Sequence, residues 1–424
     1  MARAGKPLMP LDDAWAQLRT AVEAHVASPH RREVERVRSD AALGRVLACD
    51  LVSSVDVPPH DNSAMDGYAV RAADLAVPGE LPVSQRVAAG EVGVELPPGH
   101  GARIFTGAPI PPGADAVVMQ EQVQPGQRAG HVRFEHAVQA GQNIRRRGED
   151  IARGHPVLRA GQRLGPAGLG VAASVGAEVL DVWPRPRVAL LTTGNELVMP
   201  GQTLPPGAIY NSNRHTLLGL TQSVGAEGSD LGIVPDQLDT TRRALASAAE
   251  RHDLILTSGG VSVGEEDHLR AAVEAEGEML FWALAIKPGK PFVFGRIHRA
   301  DGSACLYMGL PGNPVASYVT FLLLVRPILD VLAGAAWQLP QGLSLPAAFE
   351  WPRADTRREF LRARLGRDGR VELYPHQGSG VLSSAAWADG LVDLPAGQTV
   401  RPGDAVTFLP TAELLAPSAA WRQG

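Results

Sequence analysis

The 424-residue sequence is poor in cysteine, in aromatic residues and in uninterrupted apolar runs. It holds two cysteines, Cys49 and Cys305, far apart in the chain. That excludes a disulfide framework and cysteine-ligated zinc, and it fits a reducing compartment. The opening MARAGKPLMPLDDAW has no apolar core of signal-peptide length, so a cytoplasmic protein is expected. The greasiest stretch, YVTFLLLVRPILDVLAGAAW, is broken by Arg326, Pro327 and Asp330, which reads as a buried helix and not a membrane span. There is no basic excess either: the net charge is -5, so nonspecific nucleic-acid binding is not expected. What remains is ordinary for a folded chain, with 45% hydrophobic and 20% charged residues and room for several domains.

The rhythm of the chain changes several times. Leu11, Trp15, Leu18 and Val22 fall at helical spacing, and AALGRVLA predicts a second short helix. From about Val52 to Gly148, short strand signals alternate with PG, PPG and GAP turns, a β-rich module. GPAGLGVAASVG reads as a small-residue helix, followed by the strand EVLDVW and the hinge Pro184-Arg185-Pro186. From Arg187 onward, strands RVALLTTG, GSDLGIVPD, DLILTSGG and LYMGLPG each precede a helical pattern. Such alternation predicts a doubly wound parallel sheet. Past about Gly334 the pattern returns to short strands, with a hairpin across the Asp-Gly turn of REFLRARLGRDGRVELYP and a small β-barrel expected.

In open parallel sheets, ligands bind beyond the carboxyl ends of the strands. Four stretches fall there: TTGNE, VPD, TSGGVSVGEED and GLPGNP. They gather Glu196, Asp236 and Asp267 at one edge, beside the amides of Gly259 and Gly260, the hydroxyl of Ser262 and a helix start capped by Asn313. Carboxylates next to an anion cradle make sense when a hard cation lies between them. Magnesium is held by one or two carboxylates plus substrate phosphate oxygens, which points to chemistry on a phosphate anhydride or ester. Elsewhere, NIRRRGED sets Arg145 and two further arginines beside Glu149 and Asp150, and Lys287 and Lys290 flank a Pro-Gly turn suited to a small dianion. Three motifs are set aside. GVSVG resembles a nucleophile elbow, but a glycine pair precedes it and a charged helix follows. GLGVAA lacks the preceding strand of a dinucleotide fingerprint. KPGK is followed by Pro291, where a P-loop needs Ser or Thr.

DVPPHDNSAMDGYAV, GQNIRRRGEDI, TSGGVSVGEEDH, AIKPGKPF and GLPGNPVAS, in this order, resemble the molybdopterin molybdenumtransferase family, which includes MoeA and the gephyrin E domain. The resemblance runs through nearly the whole chain. It implies an elongated homodimer with four domains per chain. Here these would be an extended linker domain from residues 1–50 plus 150–182, a β-rich domain at 51–149, an α/β molybdopterin-binding domain at 183–334 that is similar to molybdopterin adenylyltransferase, and a C-terminal β-barrel at 335–424. It implies transfer of molybdate to adenylylated molybdopterin with a divalent metal such as Mg2+, releasing AMP and molybdenum cofactor. The cleft would lie between the α/β domain of one subunit and the β-rich domain of the other. The site acids would be Asp66, Asp150, Glu196, Asp236 and Asp267, with Thr106 lining the same cleft and Lys287, Lys290, Arg362 and Ser379 on molybdate. Molybdopterin adenylyltransferase and downstream cofactor-handling proteins are the implied partners.

Two positions depart from the family pattern: Ala283 where lysine is common, and Asn195 in TTGNEL where aspartate is common. One cation and one carboxylate are lost together, which leaves the local charge unchanged. Two other readings stay open: an adenylyltransferase on the same α/β scaffold, and a noncatalytic or weakly catalytic scaffold.

Overall fold

The computed structural model describes residues 8–27, 33–235, 237–260 and 268–415. Its centre is a six-stranded sheet. In chain order the strands are β1 (Arg187–Thr193), β2 (Glu227–Val234), β3 (Leu254–Ser258), β4 (Gly277–Trp282), β5 (Val293–His298) and β6 (Ala304–Leu310). In space they run β2-β1-β3-β6-β5-β4. The four strands read from the sequence, β1, β2, β3 and β6, are mutually parallel. β3 is buried throughout, as expected of a strand covered on both faces. The antiparallel edge pair β4 and β5 was not read as strands from the sequence. Helices cover both faces. Ser212–Ser223 and the run from Pro314 to Leu332 pack into one apolar core, and Leu238–Ala249 and His268–Glu276 into the other.

The run Pro314–Leu332 is the one described helix long and apolar enough to cross a membrane, and its apolar window is 89% buried within the protein. A wide turn at Phe321–Val325 interrupts it just before Pro327, which has no amide hydrogen to continue the regular ladder.

The N-terminal helix Leu11–Val26 buries Leu11, Ala14, Leu18 and Val22 as one stripe. It docks on this central domain, with Trp15 Nε1 donating to the Leu323 carbonyl at 2.8 Å. The expectation that it belongs with the linker domain is thereby corrected: its stripe joins the core that holds Leu322 to Val325. The linker unit proper is discontinuous, as expected. Glu35–Arg38 and Val46–Leu47 flank Val179–Trp183, and helix Pro166–Ser174 contributes to the same small core.

The β-rich domain is a six-stranded sheet in the order Ala116–Met119, Gly67–Val70, Gly101–Ile104, Gly79–Val87, His131–Phe134, Val123–Pro125. It has an apolar core on each face. Beyond residue 342, Arg358–Leu365, Gly390–Leu394, Ala405–Pro410 and Leu343–Pro346 form a continuous path. The expected barrel is not closed by a ladder. The outer side of Arg358–Leu365 is divided between Ile286–Lys287, borrowed from the preceding domain, and Val371–Leu373, and a single bridge from Ala347 to Val371 spans the gap.

Candidate functional site

At the carboxyl ends of β1 and β3 the chains come unusually close. Gly259 and Gly260 have φ of +92° and +66°, and a Cβ at either would lie 2.5 Å from the Thr193 carbonyl oxygen or 2.9 Å from its Oγ1. Only glycine meets both demands, a left-handed backbone and no side chain. The Thr193 hydroxyl beneath the pair is buried without a hydrogen-bond partner among the described residues. Asn213, which the sequence reading missed, braces the strand ends: its Nδ2 donates to Ser258 Oγ and to the Gly312 carbonyl, both at 2.7 Å. The available signal was the NSN run at the start of a helix, where Asn211 accepts from the Arg214 amide at 3.2 Å as N-cap. Asn313 holds the cap position of the helix at Pro314, but its side chain makes no capping bond.

Glu196, just past β1, is exposed, and its carboxylate folds over Gly194, 2.6 Å from where a Cβ would sit. It has no hydrogen-bond or ion-pair partner among the described residues, which suits a ligand for a hard cation. Asp236, Asp267 and Ser262 lie outside the described residues. Among the described residues no group of three acids, histidines or cysteines forms a metal centre.

A second cluster forms in the β-rich domain. Backbone pairing of Ile144 and Arg145 with Ser63 and Asn62 brings 143–150 beside 61–66, and Gly107 donates to the Ser63 carbonyl at 2.8 Å. Asp66 Oδ1 accepts from the Thr106 amide at 2.7 Å and from its hydroxyl at 2.8 Å. Those bonds, the backbone one foremost, hold the Asp66 carboxyl below its ordinary pKa. The three arginines separate into two kinds. Arg146 is tied to Asp61 at 2.6 Å and Arg147 to Asp56 at 2.6 Å. Arg145 is exposed and has no side-chain partner among the described residues, as has Asp150. No closely packed pair of described elements joins this cluster to the strand ends of the α/β sheet.

Of the four residues expected around molybdate, Arg362 bonds to the neighbour of Ser379, while Lys287 turns to acidic partners of its own. Ile286–Lys287 pairs in parallel with Arg358–Leu365, so the Lys287 turn belongs to the C-terminal sheet. Lys287 Nζ sits 2.9 Å from Glu359 and 3.1 Å from Asp355, and its pKa is raised, by Glu359 first. Glu359 and Arg362 are three apart on one strand, so alternation turns them to opposite faces. Arg362 is fully buried, donating to Ser384 Oγ at 3.1 Å and to the carbonyls of Phe360 at 3.1 Å and Gly378 at 3.3 Å. Burial pushes it down to about 10. Ser379 follows Gly378 in sequence, and its carbonyl accepts from the Val315 amide at 3.0 Å. Lys290 is exposed with no ion-pair partner among the described residues.

Fold and site together define a multidomain protein with an α/β ligand-binding unit. A β-rich domain carries the second cluster of candidate side chains. Three family profiles match the chain: MoeA N-terminal region (domain I and II) over residues 9–176, probable molybdopterin binding domain over 189–331, and MoeA C-terminal region (domain IV) over 344–411. A molybdopterin molybdenumtransferase of Haemophilus influenzae is 39% identical across 91% of this chain and 96% of its own. One from Synechococcus elongatus is 38% identical across 86% of this chain and 91% of its own. The crystal structure of a molybdopterin biosynthesis MoeA protein from Pyrococcus horikoshii superposes with a TM-score of 0.81 at 29% identity, covering 95% of this chain and 100% of that one. The chain belongs to the MoeA family.

Proposed function

We propose that the chain transfers molybdate to adenylylated molybdopterin, releasing AMP, in molybdenum cofactor biosynthesis. The observation that carries this reading is the nearly end-to-end match to a relative of that name, at 39% identity across 91% of the chain. In this reading the Gly260 amide faces the anionic part of the substrate where strand ends leave room for it, while the Gly259 amide donates to the Leu310 carbonyl at 3.3 Å and holds the turn in place. Glu196, with Asp236 and Asp267, would hold Mg2+, which supplies neutralisation of charge on the phosphoanhydride when bound. Asp66 fixes the Thr106 hydroxyl and amide in one orientation, and Arg145 and Asp150 flank them. Because that cluster makes no close packing with the strand ends of its own chain, a second copy completes the cleft in a homodimer. Lys290 is the accessible cation for molybdate, since Lys287 is already neutralised by Asp355 and Glu359. Supply by an adenylyltransferase and handover to cofactor-handling proteins, in the cytoplasm, belong to the same reading.

The test is incubation of the purified chain with adenylylated molybdopterin, molybdate and Mg2+, scoring AMP. Molybdate-dependent AMP release is expected. Formation of adenylylated molybdopterin from ATP and free molybdopterin, with no AMP release in the first assay, would instead make the chain an adenylyltransferase.

A further inference from the structure

The sheet face beside Asp66 and Thr106 carries two arginines that the reaction above does not use. Register sets Tyr68 opposite Arg103, and Arg103 opposite Arg86, so the three side chains share one face. Phe105 follows Arg103 by two residues and rejoins that face. Arg103 lies 5.2 Å from the Tyr68 ring centroid and 4.7 Å from that of Phe105, and Arg86 lies 4.5 Å from the Phe105 centroid. The result is an alternating row of rings and cations that ends next to Thr106.

The two guanidinium groups differ in what they have left to offer. Arg103 spends its donors within the sheet, on the Gly67 carbonyl at 2.9 Å and on Gln120 Oε1 at 2.5 Å. Arg86 is exposed, and its one described contact is the Phe105 ring. That contact places the guanidinium over the ring and leaves its N–H donors without a partner, and no carboxylate neutralises it, among the described residues. A flat, pre-oriented guanidinium with free donors matches the oxygens of a phosphate in a two-point contact. Phe105 is next in sequence to Thr106, whose amide and hydroxyl donate to Asp66, so the group shares a strand end with that candidate cluster.

We propose that Arg86, held over the Phe105 ring, binds the phosphate of the nucleotide half of the substrate and of the nucleoside monophosphate product. This rests on the reaction proposed above, with AMP as product. Binding of AMP and of adenosine to the full-length protein, measured by calorimetry in low salt, tests it with Arg86→Ala, Arg86→Lys and Phe105→Leu. Arg86→Ala is expected to weaken AMP binding at least about tenfold and leave adenosine unchanged. Arg86→Lys should recover only part of the loss, and Phe105→Leu should fall between wild type and Arg86→Ala. In turnover, KM for the adenylylated substrate should rise while the molybdate dependence stays put. AMP binding that is unchanged in Arg86→Ala overturns the assignment while the reaction stands. Equal loss of AMP and adenosine overturns it too, since a ring and not a phosphate would then be the ligand. If the wild-type protein neither binds nor releases AMP, the proposed reaction fails and the assignment falls with it.

Discussion

Asp330 serves two arginines from different parts of the chain. It pairs with Arg326 at 2.8 Å within its own helix and with Arg163 of the linker unit at 2.7 Å. Arg326 is fully buried, its pKa lowered by that burial first of all. Neutralising the carboxylate removes what offsets a desolvated cation, a change that costs about 3–5 kcal/mol when one member of a buried pair is lost. Asp330→Asn is therefore expected to lower the urea midpoint strongly, and an unaltered midpoint would assign the pairing no energetic weight. At this scale the sequence supplies residue types and leaves partners open. Lysine occurs three times among forty basic residues, and two of the three are Lys287 and Lys290. That scarcity makes the turn conspicuous, yet nothing in KPGK says that Asp355 and Glu359, about seventy residues on, neutralise the first lysine.

Between elements, close approach is what matters. The ends of β1 and β3 are drawn together only because residues 259 and 260 lack side chains. Gly259→Ala would place a Cβ 2.5 Å from the Thr193 carbonyl, and a backbone oxygen cannot move aside as a flexible side chain can. The left-handed φ adds a cost of about 1 kcal/mol. The expected outcome is a folded protein whose AMP release falls at least about tenfold. Activity at the wild-type level would show that the cradle is not needed. The N-terminal helix carries a different signature. His25 is lowered to about 4 by burial first, then by Arg296 and Arg299. Its folded pKa lies below the unfolded value of 6.5, so the unfolded chain takes up the proton first. Stability from this group is complete above pH 6.5 and is lost as pH falls from there towards about 4. His25→Gln should flatten the fall of Tm across that window, and an unchanged slope would mean that His25 takes up its proton equally in the folded and unfolded states.

At the scale of the whole molecule, the candidate functional residues lie in two clusters on separate domains, with no close packing between them among the described residues. A shared cleft makes a specific demand. Asp66→Ala and Glu196→Ala chains, each inactive alone, should regain AMP release when mixed and allowed to exchange subunits. A mixture that stays inactive despite heterodimers verified by mass would place the whole site within one chain. A concentration-independent monomer in light scattering would have the same consequence.

Local pattern alone determined much of this protein. Three of the four parallel strands, β1, β3 and β6, were legible because doubly covered strands must be apolar nearly throughout, and the helices between them because a one-sided helix repeats its apolar residues every three to four positions. Gly259 and Gly260 were legible as a turn after a strand. Tertiary structure decided what depends on distant partners. Leu11–Val26 left the linker unit because the face that fits its apolar stripe belongs to the central domain. Ile286–Lys287 left the α/β sheet to pair with Arg358–Leu365, and that register turned Lys287 towards Glu359 and away from Arg362. A one-residue shift along a strand reverses every side chain, so residue types alone could not say which way Lys287 and Arg362 face. The row from Tyr68 to Arg86 exists only across three strands, so no single stretch of sequence contains it.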